Sequence, residues 1–159
     1  MATERFAYAL VSAAPLQDTD AAGIAIVFKA PDRSTIGTTC QALPATDPLE
    51  AAYEAVMRVL DEALSTGVRR FTIYTDKREL VEQLTANAPV PRELLVKHLK
   101  TRGMVNQLGE VKFVVATSGR FSARLIAEGA RLPGDSSAAP RRQSSDRRQL
   151  ELLAEDALA

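Results

Sequence analysis

Among the side chains able to do chemistry, Asp76 stands in the most informative setting. It follows the run Phe71-Thr72-Ile73-Tyr74-Thr75, which reads as a short strand, and open α/β sheets place ligand-binding groups at the carboxyl ends of their strands. A carboxylate there can bind a cation or orient a ligand, and it can equally cap the helix that follows. A second group is cationic. Arg92, Lys97, Lys100 and Arg102 put four formal positive charges on one short helical stretch, with His98 among them and only Glu93 opposing. These four are the candidate phosphate, and hence nucleic-acid, contacts, although a solvated helix face accounts for them as cheaply.

Other chemistries are poorly supplied. The single Cys40 cannot form a disulfide within the chain, and one Cys with one His cannot build a zinc site of the usual kind. A reducing cytoplasm is the expected location. His98 has no Asp or Cys partner identifiable from its neighbours, so packing or solvent exposure is expected of it. The formal net charge is zero and aromatics make up 5% of the chain, with no Trp. No long-range positive field therefore concentrates nucleic acid, and little is available for base stacking.

The elements that must position these groups follow from periodicity. Phe6–Ala13, Ala22–Ala30 and Ser34–Gln41 read as an antiparallel meander, with Pro31-Asp32-Arg33 as the second connection. Asp47-Pro48-Leu49-Glu50 joins an N-capping acid to a proline at the first helical position. From there Leu49, Ala52, Tyr53, Val56, Leu60, Ala63 and Leu64 keep helical spacing until Gly67. The strand ending at Asp76 comes next, then a helix over 78–85, a loop over 86–91 and a helix over 91–107, with a kink or break expected at Gly103. Val111–Thr117 reads as a strand and Arg120–Leu132 as the closing helix. Strand-helix-strand order argues for a parallel pair.

The chain of 159 residues fits one domain of about 100–150 residues plus a tail. The expected partition is a domain over 1–132, a basic and disordered linker over 133–149, and a short amphipathic helix over 150–159. That last helix would be marginal alone and needs something to dock on. The opening MATERFAYAL lacks the basic-then-apolar plan of a signal peptide, and no apolar run reaches about 18 residues. No membrane association is expected.

This element order resembles the ribonuclease H family, over about residues 5–132. Two segments carry the likeness: Thr46–Ala55 is similar to the family's "TNN…AEYxAL" helix start, and Phe71–Val81 to its "xVxSDSxxLV" segment. The resemblance implies an α/β fold with a mixed five-stranded sheet, three antiparallel strands then parallel additions, and helices on both faces. It also implies four carboxylates holding two magnesium ions, which activate a water and stabilise the leaving oxygen in phosphodiester hydrolysis.

Carried over residue by residue, that acidic set is nearly gone. Gly23-Ile24-Ala25-Ile26 matches the glycine motif of the second strand and puts Ser12 at the first acid, with Val11 as the fallback. Tyr53 matches the family's helix tyrosine, which puts Ala52 at the second. Ala123-Arg124-Leu125-Ile126-Ala127 matches the late "AD-x-LA" start and puts Arg124 at the fourth. Only Asp76 is retained. Glu50 and Glu54 project to another side of the helix from Ala52, whereas Asp18, Asp20 and Glu128 stay open as substitutes. Arg124 either faces Asp76 and takes the place of a metal, or turns to Glu128 at i, i+4.

Three functions follow from the resemblance and its departures. The leading one is a non-cleaving domain that binds RNA or an RNA/DNA hybrid, with no metal ligand set and no cofactor. The second is a protein-interaction or assembly module, with a partner or self-association through 150–159. The third is an active ribonuclease H with substituted ligands, dependent on magnesium or manganese.

Overall fold

The structure, a computed structural model, describes residues 6–17, 19–44, 46–85, 88–116 and 121–131. The linker and terminal helix expected beyond 132 lie outside the described residues, as do Asp18 and Arg120.

Three strands, β1 (Tyr8–Pro15), β2 (Ala22–Lys29) and β3 (Thr35–Leu43), form the expected meander. The β2–β3 turn is held by Asp32, whose carboxylate accepts from both the backbone N–H and the hydroxyl of Ser34. Helix α1 (Pro48–Thr66) starts as its sequence dictates: Asp47 accepts from the Glu50 N–H, and Pro48 opens the first turn. It ends at Gly67, whose φ of 77° lies in the left-handed region that glycine enters at little cost.

The chain then crosses back to lay β4 (Arg70–Thr75) parallel to β1. Helix α2 (Arg78–Leu84) follows, then a 3-10 turn at Arg92–Leu94, helix α3 (Leu95–Gln107), strand β5 (Glu110–Val115) and helix α4 (Ser122–Glu128). The five strands lie in the order β3-β2-β1-β4-β5, with β1–β2 and β2–β3 antiparallel and β1–β4 and β4–β5 parallel.

Alternation along β1 divides the interior in two. Ala9, Val11 and Ala13 join the larger cluster with Tyr53, Val56 and Leu60 of α1, while Leu10 and Ala14 face the smaller one with Phe121, Ala123 and Ala127 around α4. Helices α1 and α4 therefore cover opposite faces of the sheet.

Three expectations need correction. The helix expected from Pro91 begins at Leu95, because the first turn closes as a 3-10 turn at Arg92–Leu94. Gly103 does not break α3, which runs through it from Leu95 to Gln107; one glycine costs a helix interior only about 1 kcal/mol. Helix α4 is shorter than expected, ending at Glu128 before Gly129.

Candidate functional site

Strand register builds the site. In the parallel β1–β4 pair Val11 stands opposite Thr75, so the next residues along each strand, Ser12 and Asp76, become neighbours just where β4 ends. Ser12, fully buried, donates from Oγ to Asp76 Oδ1 at 2.7 Å. That contact selects Ser12 over Val11, which points to the opposite face. Asp76 does not cap α2: Lys77 occupies the N-cap position, without a side-chain cap bond, and its N–H is taken by Thr75 Oγ1 at 3.2 Å.

Helix α4 brings in the third member. Arg124 Nη1 lies 3.5 Å from Asp76 Oδ2, and Nε of the same guanidinium donates to Glu128 Oε1 at 2.8 Å. The two alternatives for Arg124 are thus realised together, since a guanidinium can serve two carboxylates from different edges. Glu128, held in this way, is half exposed. Asp20 is exposed, and Glu54 pairs with Lys97.

What aims Arg124 is the tight seat of α4 on the sheet. A Cβ built on Gly23 of β2 would stand 2.0 Å from the Ala127 carbonyl oxygen, so only glycine lets the helix approach so closely. Cys40 Sγ contacts the Ile126 carbonyl oxygen at 3.3 Å on the same side. Burial pushes the Cys40 thiol pKa up, against the opposing charge of Arg131.

Lys77 is a cation of the site that the motif matching passed over. Burial pushes its pKa down from the usual lysine range; Asp76 opposes this, Arg124 adds to it, and Asp47 opposes it. Ala52 is fully buried in the larger cluster, where its methyl group offers no donor. Among the described residues no three of His, Cys, Asp and Glu converge in a manner able to hold a metal ion.

The cationic set lies elsewhere, on the α1 side of the sheet. Arg92 and Lys100 are exposed, Lys97 pairs with Glu54, and Arg102 donates to the Leu84 carbonyl oxygen at 2.6 Å, closing the end of α2. Two of the four candidate phosphate contacts are therefore committed to internal partners, and the set does not join Asp76.

His98 reaches inward. Tyr53 donates to Gln83 Oε1 at 2.6 Å, and His98 Nδ1 lies 3.3 Å from the same phenol oxygen. Gln83 Nε2 is buried and has no hydrogen-bond partner among the described residues. Burial pushes the Tyr53 pKa up to about 12, with Glu79 adding to it. The His98 pKa is pushed down by burial and then by Arg102. A glutamine inside the apolar pattern of α2 was the sequence signal for this network.

The model of the family described as reverse transcriptase-like matches residues 11–117, which takes in Ser12, Ala52 and Asp76. The chain belongs to the reverse transcriptase-like family. Its fold is ribonuclease H-like. The ribonuclease H1 of the archaeon Halobacterium salinarum superposes with a TM-score of 0.69 at 16% identity, over 77% of this chain and 95% of that one. The N-terminal ribonuclease H domain of rv2228c from Mycobacterium tuberculosis gives 0.67 at 19% identity, over 77% and 98%. LC11-RNase H1, from compost and solved in complex with an RNA/DNA hybrid, gives 0.61 at 18% identity, over 68% and 83%. A search of curated proteins finds no significant match. At these identities the structural likeness speaks for the fold, and Arg124 lies beyond the matched family segment.

Proposed function

We propose that this domain of the reverse transcriptase-like family binds RNA or an RNA/DNA hybrid through backbone contacts and surface shape, without hydrolysing it and without a resident metal or other cofactor. The observation that carries the proposal is the Arg124 guanidinium 3.5 Å from Asp76, at the position where the resemblance implies a carboxylate. A pair of divalent ions needs several anionic oxygens around it. Of Ser12, Ala52, Asp76 and Arg124 only Asp76 carries one, and its two oxygens face the Ser12 hydroxyl and the Arg124 guanidinium. These residues do not fit the magnesium or manganese pair of the resemblance.

Binding is supported by the fold and by the hybrid bound to LC11-RNase H1, whereas the loss of cleavage rests on the residues around Asp76 alone. On this reading the exposed cations of the α3 region, Arg92 and Lys100, and the strand-end cation Lys77 supply phosphate contacts, and affinity falls steeply with salt. Lys97 and Arg102 contribute through the surface potential, since both have internal partners. A cytoplasmic location suits the single Cys40.

The test is incubation of the protein with labelled RNA/DNA hybrid, RNA and DNA in chelator, magnesium and manganese, reading gel retardation and cleavage together, with Asp76→Asn as control. Salt-sensitive retardation without product is the expected outcome. Cleavage abolished by Asp76→Asn would establish substituted ligands instead. Neither retardation nor product would leave protein partnership as the function.

A further inference from the structure

Helix α3 meets the rest of the protein with one narrow side. Leu94, Thr101 and Leu108 are buried, and Met104 and Val105 pack against the larger cluster. Its outward side is unusually apolar for a surface helix: Leu95 is 44% exposed, Leu99 60% and Val96 67%. At about 100° per residue, Leu95, Leu99 and Gly103 follow one another along a line with Val96 beside it. A Cβ added at Gly103 would meet nothing within 4 Å, so the end of this stripe is flat and open. Val96 also borders a groove of about 440 Å3 against α1, lined by Met57, Asp61, Lys100 and Met104 among others.

Cations border the stripe, with Lys100 beyond Val96 and Arg102 on the other side, while the carboxylates Asp61 and Glu93 line the groove beside Val96. This charge selects the occupant. A phosphate backbone would satisfy the cations and leave the leucines wet. A second copy of α3 would set Lys100 and Arg102 against their like. An apolar helix edged with carboxylates satisfies both requirements, and the sequence beyond the described residues has the pattern of one. Leu150, Leu153, Ala154, Ala157 and Leu158 stand at i, i+3, i+4, i+7 and i+8, the spacing of one helical face. Glu151, Glu155 and Asp156 fall on its two flanks, and no Lys or Arg occurs from 150 to 159.

We propose that residues 150–158 dock as an amphipathic helix on the outward face of α3 of the same chain, Leu150, Leu153 and Leu158 covering Leu95, Val96 and Leu99, with the carboxylates toward Lys100 and Arg102. Reach permits it. Residues 132–149 extend up to about 60 Å, whereas a body of this size has a radius of gyration of only about 14 Å. A tether of that length also holds the segment at an effective concentration in the roughly millimolar range, which favours its own chain over another copy. The docked surface lies on the opposite face of the sheet from α4, and because Lys100 belongs to both readings the docked segment and a phosphate backbone compete for it.

Hydrogen exchange by mass spectrometry on the full chain tests the proposal. The native protein is compared with Leu153→Glu/Leu158→Glu in the segment and with Leu99→Glu on α3, exchange in β1 reporting that the fold is intact. Amides of 95–103 should exchange about tenfold faster in the segment variant, and amides of 150–158 about tenfold faster in Leu99→Glu than in the native chain. The native rates should not change with protein concentration. Exchange of 150–158 at the unstructured rate in the native chain overturns the proposal, as does α3 exchange indifferent to the segment variant. Protection that grows with concentration also overturns it, assigning the face to another copy.

Discussion

Arg124 Nη1 lies 3.5 Å from Asp76 Oδ2, while Ser12 donates to Oδ1 of the same carboxylate at 2.7 Å. Asp76 is thus satisfied from one strand and one helix by groups that carry no negative charge. The two contacts differ in worth, because Ser12 is fully buried whereas about a third of the Arg124 side chain is exposed.

Ser12→Ala should therefore cost about 1.5–3 kcal/mol, the range for a hydrogen bond to a charged group. Arg124→Ala should cost only about 0.2–1 kcal/mol, because solvent screens the pair. Urea denaturation of both variants checks the order, and an equal or reversed ranking would contradict it.

Acids returned to the site should create a cation site. Ser12→Asp/Arg124→Asp places two carboxylates beside Asp76, so the double variant is expected to lose stability in chelator and recover it with manganese. Recovery should approach about 2.7 kcal/mol at a hundredfold excess over the dissociation constant. Manganese electron paramagnetic resonance should show saturable binding by the variant and none by the native chain; equal binding by both would sink the metal-poor reading of Asp76.

Gly23→Ala should lift α4 off the sheet, since the new methyl would stand 2.0 Å from the Ala127 carbonyl oxygen. A destabilisation of about 1–3 kcal/mol is expected for such overpacking, with loss of the Arg124–Asp76 contact in a crystal structure. Gly37→Ala serves as the control, because nothing lies within 4 Å of that position. Similar effects at both sites would show that backbone propensity, not the helix seat, matters at Gly23.

The Tyr53–Gln83 pair should behave asymmetrically. Tyr53→Phe removes the hydrogen bond that the buried Gln83 carbonyl oxygen accepts and should cost about 1–3 kcal/mol. Tyr53→Phe/Gln83→Leu removes both polar groups and should recover most of that loss. A double-mutant cycle by thermal denaturation measures it, and additive losses would show that the hydrogen bond is not what holds the pair.

Acid should weaken the fold through His98, whose folded pKa is held below the usual histidine value by burial and by Arg102. The unfolded chain then takes the proton first, so stability contributed by the neutral ring is present above the ordinary pKa near 6.5 and is lost as pH falls below it. The groups facing the ring are Tyr53 and Arg102. Denaturation across this range should show a drop that His98→Gln abolishes. The single histidine makes its titration directly readable by NMR, and a folded pKa above the usual value would reverse the sign.

Much of the frame was legible because it rests on local rules. Asp47, Pro48 and Gly67 bound α1 through capping chemistry that acts within one turn, and the near-continuous apolar run of β2 marks a strand with both faces covered. The family resemblance also singled out Ser12, Asp76 and Arg124, which the structure brings into contact. Less legible were Gly23, read only as part of a motif, and Lys77, which lies within the matched Phe71–Val81 segment without a role of its own. The cationic helix lost members for the same reason: Lys97 and Arg102 look free in sequence, yet Glu54 and the Leu84 carbonyl claim them.

Periodicity, caps and turn residues determined the element order by themselves, because each depends on neighbours a few residues away. Through the resemblance the sequence also offered four positions, Ser12, Ala52, Asp76 and Arg124, of which Asp76 alone carries a carboxylate. Which way Arg124 points was decided by tertiary structure. Its two carboxylates lie 48 and 4 residues away in the chain, and only the parallel register of β1 with β4, together with the close seat of α4 over Gly23, brings the distant one as near as the local one permits. A guanidinium responds to the charges within a few ångströms of it, and long-range packing decides which charges those are.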